Sequence, residues 1–507
     1  MVLADQRKAA DLYARAFACA LRPSQLTLIL LTVAACATNP VTGKKELVLV
    51  SEAQEIEMGT AADQQVAQSM GYYADSALRS YVSEIGLRLA RESERPQLPW
   101  KIEVVDSPVV NAFAIPGGYV YLTRGILAYM NNEAAMVGIL GHEIGHVTAR
   151  HSVQQISRAQ LAGIGLGVGA VVVPEVRPFG DLLQTGVGLL FLKFGRDDER
   201  ESDTLGVRYS LEAGYDPREM ATFFQVLDRM GARSGSDLPG WLSTHPQPED
   251  RELRILQMVE TQAPANRELR VGDEDFKRRI EGLVFGENPR EGFMDGSRFK
   301  HPGLRFQVDF PAGWNVQNTR QAVYSGSPQR DAAIQLTGSR VEGGTSPEEH
   351  AGSFFRQNRL EYGTGERMRV GGLSAYRAPF RVSTAQGVLL GEAGFVIDGD
   401  MAYEILGYTY QQRYRQYRST FLGVVDSFAR LTDREALEVQ PHRIVLYRVP
   451  GPMTAGDAFL RSGADQESVE DLTLLNNLRA DSLVEAGTLL KIVEPPLSAR
   501  AGSDNPR

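Results

Sequence analysis

The sequence predicts a multidomain α+β chain, and three observations predict it. A helix-period apolar pattern surrounds the segment Gly141-His142-Glu143-Ile144-Gly145-His146. From His301 the period changes to alternate residues, with Leu304, Phe306, Val308 and Phe310 on one strand face. Residues 441–494 then read strand–helix–helix–strand. At 507 residues the chain has room for two or three domains. Its 43% hydrophobic and 23% charged residues exclude a disordered or collagen-like chain. A net charge of −9 argues against a protein built to neutralise nucleic-acid phosphates, so no nucleic-acid partner is expected. The two cysteines, Cys19 and Cys36, lie near the N-terminus, which excludes a disulfide scaffold and a cysteine-ligated metal in the body of the chain.

The elements follow in order. Residues 26–35 are an apolar run, too short for the about 20 residues that a spanning helix needs. Behind Arg7, Lys8, Arg15 and Arg22 the run suits a signal-peptide core. It ends in Val33-Ala34-Ala35-Cys36, which resembles a bacterial lipobox. That resemblance implies a signal peptide over 1–36 and a lipid on Cys36. With Ala37 rather than Asp next, it implies anchoring at the periplasmic face of the outer membrane. A mixed-charge helical region runs to about Arg95, and residues 101–260 hold the densest motifs. Within them Leu161–Leu192 is apolar and glycine-rich, but Pro174, Glu175, Arg177 and Asp181 interrupt it, so a packed or lid-like helical hairpin is expected rather than a membrane hairpin. Residues 263–297 read as a helical linker. Strands near 332–336, 387–397 and 401–410 with helices near 347–360 and 412–429 make 298–432 an α+β domain. Residues 495–507 read as a disordered tail. His301 and His350 are expected at the surface.

The chemistry concentrates at His142-Glu143-Ile144-Gly145-His146. Asn131 or Asn132 can cap the helix that carries it, and Ala135, Val137, Ile139, Leu140, Ile144 and Val147 make that helix apolar nearly all round. Positions i and i+4 lie about 40° apart on a helix, so His142 and His146 face one point, where two imidazoles can hold one Zn2+. Glu143, beside the first ligand, reaches a water at the metal as general base. Burying an unpaired glutamate in an apolar helix is costly, which favours a metal site over two packed core histidines. For the third ligand, Ala149 and Ser152 exclude an HExxHxxGxxH site, and His151, about 140° round the helix from His146, is expected to point away. In Arg196–Asp203, Glu199 and Asp203 share a face with Ser202, Gly206 and Ser210, small residues that let a second helix come close. The metal set is therefore His142, His146 and Glu199, with Asp203 orienting a ligand histidine through its free ring N–H. Asp197, Asp198 and Glu201 read as a solvated face.

These residues resemble the zinc metallopeptidases of the HtpX and CAAX-prenyl-protease type, gluzincins with HExxH followed by ExxxD, and within them the bacterial periplasmic lipoproteins. The matching pieces are Asn39-Pro40-Val41-Thr42-Gly43 with Leu49-Val50-Ser51-Glu52, Asn111-Ala112-Phe113-Ala114-Ile115-Pro116-Gly117-Gly118, the HExxH helix, Glu199 to Asp203, Ala213-Gly214-Tyr215-Asp216-Pro217, and Thr244-His245-Pro246 with Arg251. They cover residues 37–262, a mainly helical protease domain with a small sheet. The resemblance implies that Asn111 to Thr123 is the strand before the catalytic helix, an edge strand that binds extended substrate, through Asn111, Ala112, Phe113, Gly117 and Gly118. It also implies that His245 and Arg251 stabilise the oxyanion, or that His245 ligates the metal and holds the enzyme latent. Residues 298–432 resemble the small α/β sandwiches of the PsbP type.

Residues 441–494 resemble a degenerate LysM module, with Tyr447-Arg448-Val449, Ala455-Gly456-Asp457-Ala458-Phe459, Leu474-Leu475-Asn476-Asn477-Leu478 and Ala486-Gly487-Thr488-Leu489-Leu490-Lys491-Ile492. That implies peptidoglycan as a partner. The functional expectation is a lipid-anchored zinc endopeptidase that cleaves misfolded or unassembled envelope proteins. The competing class is a non-proteolytic peptidoglycan-binding or chaperone-like lipoprotein with a latent zinc site.

Overall fold

The computed structural model describes residues 36–165, 193–234, 240–245, 250–263, 268–384 and 387–495. The expected leader before Cys36, most of the apolar segment Leu161–Leu192 and the tail from 496 lie outside them. No helix among the described residues is long and apolar enough to cross a membrane.

The chain opens with a short antiparallel pair, β1 (Cys36–Thr38) and β2 (Lys45–Leu47). Helix α1 (Glu52–Ser69) starts from a capping box between Ser51 and Gln54. Helix α2 (Ser76–Arg91) starts from Asp75, whose carboxylate accepts from the Ala77 and Leu78 N–H groups. A sheet follows in the order β3 (Lys101–Val105), β5 (Tyr119–Thr123), β4 (Ala112–Ile115), parallel between β3 and β5 and antiparallel between β4 and β5. The single strand expected over Asn111–Thr123 is instead a hairpin of two strands, with β4 at the edge of the sheet. Its turn requires glycine: Gly117 and Gly118 have φ of 86° and 101°. The turn is also packed, since a Cβ on Gly117 would stand 2.9 Å from the Ile56 Cα of α1. Both glycines are buried, as are Ala112 and Phe113 of β4.

Helix α3 (Arg124–Tyr129) leads to α4 (Glu133–Thr148), which carries the HExxH segment. Asn132 is the cap, accepting from the Ala135 N–H at 2.8 Å. Every residue of α4 is buried, as its all-round apolar pattern demands. Helix α5 (His151–Gly165) follows after a reversal at Arg150, then α6 (Arg196–Glu212), α7 (Arg218–Ser234), α8 (Gly240–Thr244) and α9 (Arg251–Gln262). Helix α6 crosses α4 at glycine distance: a Cβ on Gly141 would lie 3.1 Å from the Gly206 Cα, and one on Gly145 3.2 Å from the Ser202 Cα. The small-residue face read from the sequence is thus the contact face.

Residues 263–297 are not simply a helical linker. Helix α10 (Asp273–Arg279) is followed by β6 (Val284–Phe285), which joins the sheet of the C-terminal unit, and Phe293–Asp295 pairs with Arg298–His301. In the next unit the strands Ala332–Arg340, Met401–Tyr410, Gly387–Asp398 and Leu373–Thr384 lie side by side, antiparallel, at the centre of an eight-stranded sheet. Leu304 departs from the expected stripe: the chain turns at Arg305 with φ 58°, the strand is Phe306–Asp309, and Leu304 is 43% exposed. His301 and His350 are half-buried and lie outside the donor cluster described below. His301 stacks on Phe306 with ring centroids 5.3 Å apart, and burial pushes its imidazole down to about 4. His350 Nε2 lies 2.6 Å from the Glu404 carboxylate.

The C-terminal unit has the expected order of elements, with the strands His442–Arg448 and Leu489–Glu494 pairing around two short helices. It shares one hydrophobic core with the protease-like region: Ile444, Phe459, Leu472 and Ile492 pack in the same cluster as Val137, Ile139 and Leu140. Its Lys491 is wholly buried and donates to the carbonyls of Ala128 at 2.5 Å and Met130 at 2.7 Å, where α3 ends. Burial, with Lys277 nearby, holds that amine well below the ordinary lysine range.

Candidate metal centre

Four buried side chains converge between α4, α6 and α8. One donor atom each from His142, His146, Glu199 and His245 lies within 4.8 Å of all the others. The His142 and His146 Nε2 atoms are 3.1 Å apart, and Glu199 carboxylate oxygens lie 3.6 Å and 3.5 Å from them. Each residue follows from its element. One helical turn puts the two histidines side by side, and the glycine crossing brings α6 near enough for Glu199 to reach them. The sequence thus located His142, His146 and Glu199, and offered His245 as an alternative fourth ligand. His245, expected at the oxyanion or as a latch, stands inside the donor set, its Nδ1 2.8 Å from Glu199 Oε1.

The electrostatics are those of a site made for a cation. Burial alone would raise the Glu199 carboxyl, but His245, His146 and His142 outweigh it and hold Glu199 well below the usual carboxylate range. Burial drives the His146 imidazole well below its ordinary value, against the pull of Glu199, which keeps it neutral as a ligand must be. One buried carboxylate oxygen of Glu143 has no hydrogen-bond partner, an arrangement that costs free energy unless a cation or substrate meets it. Two imidazoles and a carboxylate, with Glu143 adjoining, form the donor set of a catalytic zinc, and the residues fit that ion.

Asp203 takes the place expected of it. Its Oδ1 lies 3.0 Å from His142 Nδ1, so the ring N–H donates to it and Nε2 is turned to the centre. Burial would raise Asp203, but Arg251 and His142 hold it below its usual value. Arg251 is not at an oxyanion position. Its guanidinium donates to Asp203 Oδ1 at 2.6 Å, stands 3.3 Å from Glu199 Oε2, and is covered by the rings of Phe224 at 4.0 Å and Trp241 at 4.7 Å. Its charge is committed to Asp203 and to the Glu199 carboxylate of the donor set.

Glu143 approaches His245 Nε2 at 3.6 Å and accepts a long bond from the Trp241 indole at 3.4 Å. Trp241 stacks on His245 with centroids 4.7 Å apart, and Phe194 stacks on His146 at 3.9 Å. The Phe194 N–H donates to the Thr244 carbonyl, and the Trp241 N–H to that of Val110. Helix α8 thereby lies against the approach to β4, the strand of Ala112 and Phe113. Asn111 immediately precedes that strand and exchanges backbone contacts with Thr123.

Sequence reasoning missed His151 and Glu201. His151 was expected to point away, which a continuous helix would require. The helix stops at Thr148, however, and Arg150 adopts φ 62°, so the chain turns back. His151 Nδ1 then meets His146 Nδ1 at 3.0 Å, and its Nε2 meets Glu201 Oε2 at 3.4 Å. Glu201 is not simply a solvated residue. The only advance signal was the sequence Ala149-Arg150-His151, which has no glycine to mark the break. Asp198 caps the start of α6 by accepting from the Gly195 N–H.

A buried helix with two facing histidines and a flanking glutamate, crossed by a helix that supplies a carboxylate, is the arrangement that zinc metallopeptidases use. Residues 76–259 match Peptidase family M48. Among curated relatives, the Beta-barrel assembly-enhancing protease of Escherichia coli (strain K12) is 31% identical over 226 residues, 42% of this chain and 45% of the relative. The Mitochondrial metalloendopeptidase OMA1 of Arabidopsis thaliana is 33% identical over 199 residues, 38% of each chain. The chain thus spans about half the length, or less, of the curated relatives it matches. A solution structure of cyanobacterial PsbP from Synechocystis sp. PCC 6803 matches 27% of this chain and 94% of its own, at 16% identity and a TM-score of 0.24, too low to bear on the fold.

Proposed function

We propose that this protein is a zinc-dependent endopeptidase of the bacterial cell envelope, acting on misfolded or unassembled envelope proteins. The observation that carries the reading is the buried convergence of His142, His146 and Glu199 beside the unpartnered Glu143 carboxylate oxygen. The names of the relatives, a protease that enhances β-barrel assembly among them, support the envelope assignment. The lipobox-like Cys36 supports a lipid anchor at the periplasmic face of the outer membrane. The LysM-like order of 441–494 supports peptidoglycan contact, within a unit that also braces α3.

Bound zinc would supply Lewis acidity toward a scissile carbonyl, held by His142, His146 and Glu199. Glu143 takes the proton of the attacking water at its free oxygen and returns it to the leaving amine. Asp203 and Arg251 fix the His142 ring and the Glu199 carboxylate. Asn111, Ala112 and Phe113, at the outer edge of the sheet, accept substrate backbone as an added strand. His245 steadies the oxyanion once α8 has moved.

A second reading is favoured by one observation: His245 is itself within the donor set, with α8 held over the segment before β4. The protein would then rest in a latent state, because a catalytic zinc needs an open position. The test is cleavage of unfolded casein by the full chain in detergent, with Glu143→Gln and His245→Ala alongside. Glu143→Gln is expected to keep its zinc and to lose about 10²–10⁴-fold in cleavage rate. A silent parent with an active His245→Ala would establish the latch. Silence in all three despite bound zinc would favour a non-proteolytic envelope lipoprotein.

A further inference from the structure

We infer that His151 and Glu201 form a positioning pair for the ligand His146, one that fixes which ring nitrogen His146 turns toward the metal. The inference rests on the metal reading above and extends it to residues outside the donor set.

The geometry admits one consistent arrangement of protons. His146 presents Nε2 to the donor cluster, 3.1 Å from His142 Nε2 and 3.5 Å from Glu199 Oε1. A ligating nitrogen carries no proton, so the His146 proton sits on Nδ1. That N–H points at His151 Nδ1, 3.0 Å away, which must accept it. The proton of a neutral His151 is then on Nε2, facing Glu201 Oε2 at 3.4 Å, with Asp198 Oδ1 at 4.0 Å. The Ser202 hydroxyl, 3.4 Å from His151 Nδ1, adds a second polar neighbour. Ligand histidines are commonly held through their outer nitrogen by a carboxylate or carbonyl. Here a second imidazole stands between ligand and carboxylate.

The backbone is arranged to produce this contact. Arg150 occupies the left-handed region at φ 62°, unusual for a residue with a side chain. It is held there by its own guanidinium, which donates to Glu55 Oε2 at 3.0 Å and to the Val50 carbonyl at 3.0 Å. Glu55 is buried and also paired with Arg95 at 2.8 Å. The reversal anchored in this way is what carries His151, only 1% exposed, behind His146.

The test is zinc affinity of the full chain, measured by competition with a chromogenic chelator, for the parent, His151→Leu and His151→Asn. Asparagine places an acceptor oxygen near the position of Nδ1, and leucine places none. His151→Leu is expected to bind zinc about 10–100-fold more weakly, and His151→Asn to recover most of that loss. In zinc-loaded parent labelled with ¹⁵N-histidine, His146 is expected to carry its ring proton on Nδ1 and His151 on Nε2. Parent-like affinity in His151→Leu overturns the inference, as does an equal loss in both variants or a His151 proton on Nδ1. Should His151→Leu fail to fold, Glu201→Leu carries the test, with weaker binding expected and unchanged affinity overturning it. A parent that binds no zinc would overturn the metal reading and the inference together. A parent that binds normally confines any failure to the His151 pair.

Discussion

His142 and His146 lie one turn apart on the same helix, yet their outer nitrogens are held by different chemistry. The His142 ring donates to Asp203, a carboxylate locked by Arg251, and all three residues are at most 1% exposed. The His146 ring meets another imidazole, whose far nitrogen reaches Glu201, a side chain 23% exposed. The first support is ionic and sealed, whereas the second reaches its carboxylate through an intervening imidazole and opens toward solvent. The difference matters because buried ions are costly unless their set is complete, whereas a neutral hydrogen-bonded ring carries little desolvation penalty. The His142 side should therefore govern stability, and the His146 side mainly the tuning of the ligand.

The sharpest way to break this comparison is Arg251→Met. It leaves the Asp203 and Glu199 carboxylates buried without their cation, so the metal-free protein is expected to lose about 3–5 kcal/mol in urea unfolding. His151→Leu, which leaves only the partly exposed Glu201 carboxylate without its imidazole, should cost clearly less in the same measurement. Equal losses would mean that the two sides are not energetically distinct.

The two sides also differed in how far the sequence revealed them. The spacing of His142, His146, Glu199 and Asp203 was legible because it depends only on helical period and on small residues at a crossing. Leu205 and Gly206 then had to pack where Gly145 and Gly141 left room, and they do. His151 was misplaced because its position depends on one left-handed residue, Arg150, stabilised by Glu55 almost a hundred residues earlier. No local pattern encodes that. The spacing of Arg251 gave its nearness to the site but not its partners, Asp203 and Glu199. In the sheet domain, the strands at 387–398 and 401–410 read clearly, whereas Leu373–Thr384 escaped notice. Its Arg377, Pro379 and Arg381 argue against a strand, and Pro379 fits because its carbonyl accepts from the Gly363 N–H while its ring nitrogen, which carries no hydrogen, needs no acceptor.

A smaller effect tests the crossing on which the Glu199 position depends. Gly206→Ala would put a Cβ 3.2 Å from the Gly138 carbonyl and 3.2 Å from the His142 backbone nitrogen. Neither atom can move without shifting α4, so overpacking of about 1–3 kcal/mol is expected, together with weaker zinc binding as Glu199 draws back. A loss of stability with unchanged zinc affinity would show that Glu199 is held by Arg251 and the histidines rather than by the helix approach.

The smallest effect concerns the reversal behind His146. Two terms oppose each other at Arg150: the left-handed backbone costs about 1–2 kcal/mol for a residue with a Cβ, and the buried pair with Glu55 offsets it. Arg150→Ala keeps the backbone cost and removes the pair. Arg150→Gly removes both. The glycine variant is therefore expected to unfold at a higher urea concentration than the alanine variant, by about 1 kcal/mol of stability, and to keep His151 in place. If alanine and glycine unfold together, the turn carries no strain at Arg150, and the imidazole support of His146 is set instead by the packing of α5 against Glu201 and Ser202.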